Sequence, residues 1–364
     1  MYSNLFSGLL PIFTVLFDLS YALAGLVAMV FSITSSMLQP LLGRWFDRTQ
    51  AAWLLEAGLA TNCLAMSLSG ISPNYVILLF LVGTAGIGTA AFHPPAFSAV
   101  AKSSGNSRGG SMGFFLSGGN AGFFLGPIVA GGIVSAFGVR GTVVLLPIGM
   151  LTALLLLKVH VSEEQVPRTQ SAKRPANKRL LTLLASITAF RSITIQVGVT
   201  FLPLYLVTRG EPLIVATGVA SIWLGVGVVG QIAGGNLSDR VGRRPVIASS
   251  LIAGAALFYG FLLTTGLTSI FLLAFSGGVL YAGWSVIVAM ASEAAPDDVG
   301  TVSGFMLGFS IGVGGLAALA FGSVADLLSL NSAFHIFTAF ALIAGALALL
   351  LPRTMAASVL LTRS

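Results

Sequence analysis

Charge is what this sequence has least of. Only 8% of its 364 residues are Asp, Glu, Lys or Arg, against 56% hydrophobic, where a soluble domain carries about 25% charged residues. So few charges cannot cover a water-facing surface of this size, which excludes a soluble globular protein and leaves lipid as solvent for much of the chain. Cysteine is nearly absent too: Cys63 is the single one, it sits in an apolar run, and it allows no intramolecular disulfide. No Gly-x-x-x-x-Gly-Lys loop occurs, so hydrolysis of ATP by a phosphate-cradling loop is excluded. No His/Cys cluster suggests a metal, and no serine, histidine and acid set lies outside the apolar runs. Every polar connection is under about 20 residues, which leaves nowhere to house a soluble catalytic domain. An enzyme is therefore not expected, and neither is a cofactor. The first apolar run ends in Leu16-Phe17-Asp18-Leu19-Ser20 without a small-residue cleavage site, so it does not read as a signal peptide.

Long apolar runs are what the sequence does have. A membrane-crossing helix needs roughly 20 mostly apolar residues for a hydrocarbon core of about 30 Å. Such runs lie near 22–42, 51–70, 74–92, 110–136, 141–158, 180–207, 212–235, 245–265, 268–290, 302–324 and 333–351. The stretch Tyr2 to Phe17 is apolar but short; at about 1.5 Å per residue it reaches about 24 Å. It reads as the later part of a first helix whose start lies upstream, which brings the expected number of spans to twelve. Glycine is abundant, at 44 residues, as suits membrane helices that approach closely.

The net charge of +7 would suit nucleic acid were it clustered, but it is sorted instead. Apart from Arg140, Arg191 and Arg209, the basic residues fall in alternate connections and the C-terminal tail. Positive residues stay on the cytoplasmic side, so those connections and both termini are expected there, with no nucleic-acid partner. The stretch Val161 to Arg179, with Pro167, Pro175 and five basic residues, reads as a cytoplasmic linker between two halves. The expected division is residues 1–160, linker 161–179 and residues 180–364. The halves repeat: Gly43-Arg44-Trp45-Phe46-Asp47-Arg48 after the second span is echoed by Gly235-Asn236-Leu237-Ser238-Asp239-Arg240 after the eighth. Two six-helix repeats with a site near mid-membrane form a transporter architecture.

The run Gly235 to Arg244, with Asp239, Arg240, Gly242, Arg243 and Arg244, closely resembles the loop signature of the major facilitator superfamily. That family carries it between helices two and three and again between eight and nine; here the first copy keeps Gly43, Asp47 and Arg48. An aspartate at a helix end can face the positive N-terminus of a neighbour while arginines grip carboxylates or carbonyls. These loops are therefore expected to form a polar latch on the cytoplasmic side; simple positive-inside anchoring is the alternative. Gly113, Gly122, Gly126, Pro127 and then Gly131-Gly132 resemble the glycine-rich fifth-helix signature of major facilitator antiporters, departing by one residue before the closing pair. That signature implies export by exchange; tight packing alone would use the same glycines. Phe92-His93-Pro94, the run Ser32 to Pro40 with Gln39, and Gly118-Gly119-Asn120 resemble the bacterial fosmidomycin-resistance branch. Pro95 stands where an acidic residue is common in that branch.

The resemblance implies an all-α membrane protein of twelve helices in two pseudo-symmetric six-helix bundles. It implies a monomeric, multi-pass transporter of the bacterial inner membrane that exchanges protons for a small molecule or drug. A proton- or sodium-driven importer of a metabolite shares the fold, and a non-transporting sensor or scaffold is a further alternative. Charges inside the membrane cost roughly 2.5–3.5 kcal/mol on insertion scales, so each needs a reason. Arg191, about eleven residues into the seventh span, could bind an anionic group of a substrate, pair with a carboxylate, or snorkel to the interface. Glu293 is expected at the cytoplasmic gate. His93 is a proton candidate because an unperturbed imidazole titrates near pH 6.5; the bland alternative is a histidine capping a helix end on a carbonyl. Asn120, Gln39, Gln196, Trp223 and Trp284 are candidates to line the pathway, and each could equally be helix-packing glue.

Overall fold

A computed structural model describes residues 1–49, 51–103, 108–157, 176–295 and 299–353; the side chain of Asp47, the surroundings of Gly113 and most of the expected 161–179 linker lie outside what is described. All regular structure among the described residues is helical. The helices are α1 (Leu5–Leu16), α2 (Tyr21–Met37), α3 (Gln39–Thr49), α4 (Leu54–Leu68), α5 (Tyr75–Ser103), α6 (Arg108–Phe137) and α7 (Leu145–Leu156). They continue as α8 (Lys178–Thr208), α9 (Leu213–Val241), α10 (Arg243–Leu263), α11 (Gly266–Ala294), α12 (Val299–Leu327) and α13 (Leu330–Ala348). Eleven helical stretches are long and apolar enough to cross a membrane, with α2 and α3 sharing one, Tyr21–Phe46. Tyr2–Leu16 is the shorter apolar helix that precedes them. In lipid every backbone N–H and C=O must find a partner within the chain, which is why helices are the answer to runs this apolar.

Two expected boundaries are wrong, and for a physical reason. The fourth span was expected to stop at 92 with His93-Pro94 beyond it; α5 instead runs through Pro94 and Pro95 to Ser103. Proline lacks an N–H, yet apolar surroundings offer the backbone no competing partner, so a membrane helix tolerates it. The Pro94 ring faces α3 at Gly43, where a Cβ would sit at an ordinary contact distance of 3.7 Å. Likewise the supposed loop signature is mostly helix. Gly235, Asp239 and Arg240 lie on the last turns of α9, Arg243 and Arg244 open α10, and Gly43, Asp47 and Arg48 lie on α3. Gly242 alone makes the reversal, with φ of 97°, a backbone conformation that costs glycine little and other residues much.

The chain forms two compact units: Met1–Thr169 with Thr200–Ser221, and Gln170–Val199 with Ile222–Ser364. In the first, α1 meets α6 at a crossing of small residues. A Cβ on Gly8 would lie 2.6 Å from the Pro127 carbonyl oxygen, and one on Gly126 would lie 2.9 Å from the Asn4 carbonyl carbon. The Asn4 amide, wholly buried, donates to the Phe123 carbonyl at 2.9 Å. Between α4 and α5, Asn62 donates to the Ala85 carbonyl (2.9 Å) and the Thr89 hydroxyl (2.7 Å). In the second unit Ile247, Leu251, Val286, Ile287, Met290 and Ala344 form an apolar core joining α10, α11 and α13. On α9, Cβ atoms at Gly230 and Gly234 would run into the backbones of Gly278 and Ala282 on α11, so these two helices touch backbone to backbone. The outer face of α11 presents Leu267, Phe271 and Phe275, each more than 60% exposed; one apolar stripe at a spacing of four is what a lipid-facing helix surface requires.

Candidate functional site

Three groups of side chains carry the chemistry. The first closes one end of the second unit. Arg243 donates through Nη1 to Asp239 (2.9 Å) and the Ser238 hydroxyl (2.8 Å), and through Nη2 to Glu293 (2.7 Å). One guanidinium thus ties the end of α9, the start of α10 and the end of α11 together. Arg243 is far less exposed than either carboxylate: its side chain is 21% accessible against 64% for Asp239 and 52% for Glu293. Exposed ion pairs are worth about 0–1 kcal/mol each, so the knot can hold a helix arrangement without making it irreversible. Of the remaining signature residues, Arg240 is exposed, Arg244 half-buried and Gly242 buried beneath the reversal. In the first copy Gly43 packs on Pro94 while Arg48 is exposed.

The second group surrounds Arg191 in the middle of α8. Its guanidinium carbon lies over the rings of Trp284, at 4.8 Å from the centroid, and Tyr281, at 5.4 Å. At 3% exposure Arg191 does not snorkel, and no carboxylate pairs with it among the described residues. Its Nε and Nη2 are buried without a hydrogen-bond partner. Tyr281 meets Trp223 edge-on at 6.0 Å, so a single aromatic row links three of the expected residues. Within that row Trp223 is a packing residue: it is 1% exposed, its indole N–H donates to Ser276 (3.1 Å), and Gly198 and Gly277 press against it. Gln196, five residues beyond Arg191, packs its stem on Gly314, and the hydroxyls of Ser192 and Ser310 are 2.6 Å apart. Tyr281 was missed from the sequence; its signal was the position three before Trp284, which puts both rings on one helix face.

The third group lies in the first unit. His93 is inside α5, not at its end, stacked on Phe97 (5.6 Å) and edge-on to Phe92 (5.7 Å). Its Nδ1 is buried without a hydrogen-bond partner, so it caps no carbonyl through that atom. Phe97 in turn meets Phe115 of α6 at 5.6 Å. Gln39 opens α3 and Asn120 lies mid-way along α6, both half-buried. Further along α6, Gly122 is covered by Met1 and Gly126-Pro127 by α1, while the Ile128 N–H donates to the Ser221 hydroxyl at 3.1 Å.

Comparison with known proteins agrees with this picture. The Major Facilitator Superfamily model matches residues 1–305 and 219–362. The chain is 28% identical over 378 residues to the fosmidomycin resistance protein of Escherichia coli K12, covering 97% of this chain and 89% of that one. It is 27% identical over 368 residues to an uncharacterized MFS-type transporter of Bacillus subtilis strain 168, covering 95% and 88%. Among solved structures it is similar to a bacterial homolog of the human lysosomal transporter Spinster in an inward-facing, occupied conformation. The TM-score is 0.78 at 17% identity, with 96% of this chain and 94% of that chain covered. The chain belongs to the Major Facilitator Superfamily and is a multi-pass membrane transporter, not an enzyme.

Proposed function

We propose that this transporter is a proton-coupled antiporter that exports a small molecule, working by alternating access as a monomer in a bacterial inner membrane with both termini in the cytoplasm. The observation that carries the reading is the glycine-proline segment of α6, where Gly126 and Pro127 meet Asn4 and Gly8 of the first helix with no room for a side chain. The antiporter-like pattern thus stands where α6 and the first helix cross, and not on a free surface. A crossing of bare backbone lets the two helices approach closely. The fosmidomycin resistance protein among its relatives supports efflux of a compound harmful to the cell.

His93 supplies the simplest proton carrier. An imidazole whose Nδ1 lacks a partner in an aromatic surround gains or loses a proton without breaking an existing bond at that atom. In the proposed cycle a proton arriving from outside protonates an intramembrane group, and the substrate leaves as the proton enters. The arginine knot at Asp239 and Glu293, placed on the cytoplasmic side by the positive-inside distribution, forms and breaks with the exposure of the site.

Accumulation of test compounds in cells carrying the chain decides the direction. Lower accumulation than in control cells, abolished by an ionophore that collapses the pH gradient, supports proton-driven export. Higher accumulation makes the protein an importer, and export that persists unchanged with the gradient collapsed removes the proton coupling.

A further inference from the structure

We infer that Arg191 anchors an oxyanion-binding site built wholly from the second unit, taking the carboxylate or phosphoryl group of a small solute; its use in transport rests on the reading above. A guanidinium has two flat faces and an edge of N–H donors. The guanidinium carbon lies over the rings of Trp284 and Tyr281, a cation–π attraction that accepts no N–H bond, so the donors still need acceptors. The two that lack one are Nε and Nη2, whose N–H bonds point the same way along one edge. That pair is the side-on fork that grips two oxygens of a carboxylate or phosphoryl group at once.

Among the described residues of the second half, no carboxylate pairs with Arg191. Glu211 lies between α8 and α9, Asp239 on the last turn of α9, Glu293 on the last turn of α11, and Asp326 on the last turn of α12. All are at helix ends, and both Asp239 and Glu293 are bonded to Arg243. The hydroxyls of Ser192, next to Arg191 in sequence, and Ser310 are bonded to each other. An arginine kept for structure would be expected to carry a carboxylate or a set of carbonyls on its fork. One that keeps its fork bare beside two aromatic rings is suited to a ligand that brings the charge with it. Both nitrogens are buried, so entry requires the flanking side chains to part. The adjacent Trp284 ring favours a solute whose anionic group is attached to an apolar or aromatic body.

The test is equilibrium binding to the purified full chain in detergent, read by tryptophan emission and by thermal midpoint. The probes are benzoate, phenyl phosphate, acetate and inorganic phosphate, with benzamide as the neutral control. The inference predicts saturable binding of an oxyanion but not of benzamide, weakened at least tenfold in Arg191→Gln. Arg191→Lys, which keeps the charge but lacks the fork, is also expected to bind at least tenfold more weakly. Unchanged elution and ligand-free melting of the lysine variant separate lost binding from lost folding. If neither variant folds, the wild-type contrast of benzoate with benzamide still decides. Phenyl phosphate binding at least tenfold tighter than inorganic phosphate identifies an organic solute; equal affinities identify the free anion, and overturn the solute assignment. Absence of saturable oxyanion binding by folded wild type, or full affinity in Arg191→Lys, overturns the site. Because binding needs no gradient, a chain that exports a solute but binds no oxyanion refutes this inference alone, and one that binds but moves no protons refutes only the coupling.

Discussion

Adding one methyl group at Gly230 should destabilise this protein, while adding the same group at Gly118 or Gly304 should not. A Cβ on Gly230 would fall within the van der Waals envelope of the Gly278 carbonyl oxygen, where an ordinary carbon–oxygen contact needs about 3.3 Å. The obstacle is backbone, so no side chain can swing away, and α9 and α11 must separate. Overpacking of this kind costs about 1–3 kcal/mol, against about 0.5–1 kcal/mol gained by placing alanine in a helix. Because the obstacle is backbone the upper half of the overpacking range applies, about 2–3 kcal/mol, and the expected net loss for Gly230→Ala is about 1–2.5 kcal/mol. At Gly118 and Gly304 a Cβ meets nothing within 4 Å, so only the helix-propensity gain remains, and these variants should be unchanged or up to about 1 kcal/mol more stable. The assay is thermal unfolding of the purified variants in one detergent, followed by tryptophan emission. Trp223, fully buried two turns before Gly230 on the same helix, reports directly on the α9–α11 seam. A Gly230→Ala protein as stable as wild type, or a Gly118→Ala protein that loses as much, would refute the reasoning.

Three further outcomes are expected. Arg243→Gln breaks the bonds to Asp239, Ser238 and Glu293 but, because both carboxylates are half-exposed or more, should lower stability by no more than about 1–2 kcal/mol while reducing transport at least tenfold; a large loss of stability with transport intact would reverse the assignment. His93→Gln should leave melting within about 1 kcal/mol and uncouple substrate movement from pH, seen as transport whose rate no longer follows an imposed gradient. Trp223→Phe leaves Ser276 without its indole donor and should cost about 1–2 kcal/mol of stability with substrate preference unaltered, since that ring is packing and not lining.

Much of the fold was legible because lipid imposes a simple rule. A run of about 20 apolar residues has to be a spanning helix, and the expected spans therefore coincide with the observed helices from Leu54–Ile71 to Leu330–Ala348 in all but their ends. The ends failed where residues normally read as breakers are overruled by surroundings. Pro94 and Pro95 continue α5 because apolar surroundings offer its backbone no competing partner, and helix α9 continues through Gly235 to Val241 because the turn is made by Gly242 alone. The site was half legible. A charged residue in an apolar run announced Arg191, but sequence could not choose between snorkelling, pairing and ligand binding; 3% exposure decides against snorkelling, and among the described residues no carboxylate pairs with it. Tyr281 was hidden because a tyrosine in a glycine-rich helix looks like any other packing residue until the cation above it is seen. His93 was noticed, but its placement inside the helix depended on the prolines after it.

The central claim is tested most directly by proton movement in inverted membrane vesicles carrying the chain, with a pH-sensitive dye reporting an imposed gradient while candidate compounds are added. Proton-coupled export predicts that a substrate dissipates the gradient, and that Asp239→Asn, which removes one carboxylate from the Arg243 knot, does not support the response. A well-expressed, correctly inserted protein that transports a compound with no change in the gradient would contradict it.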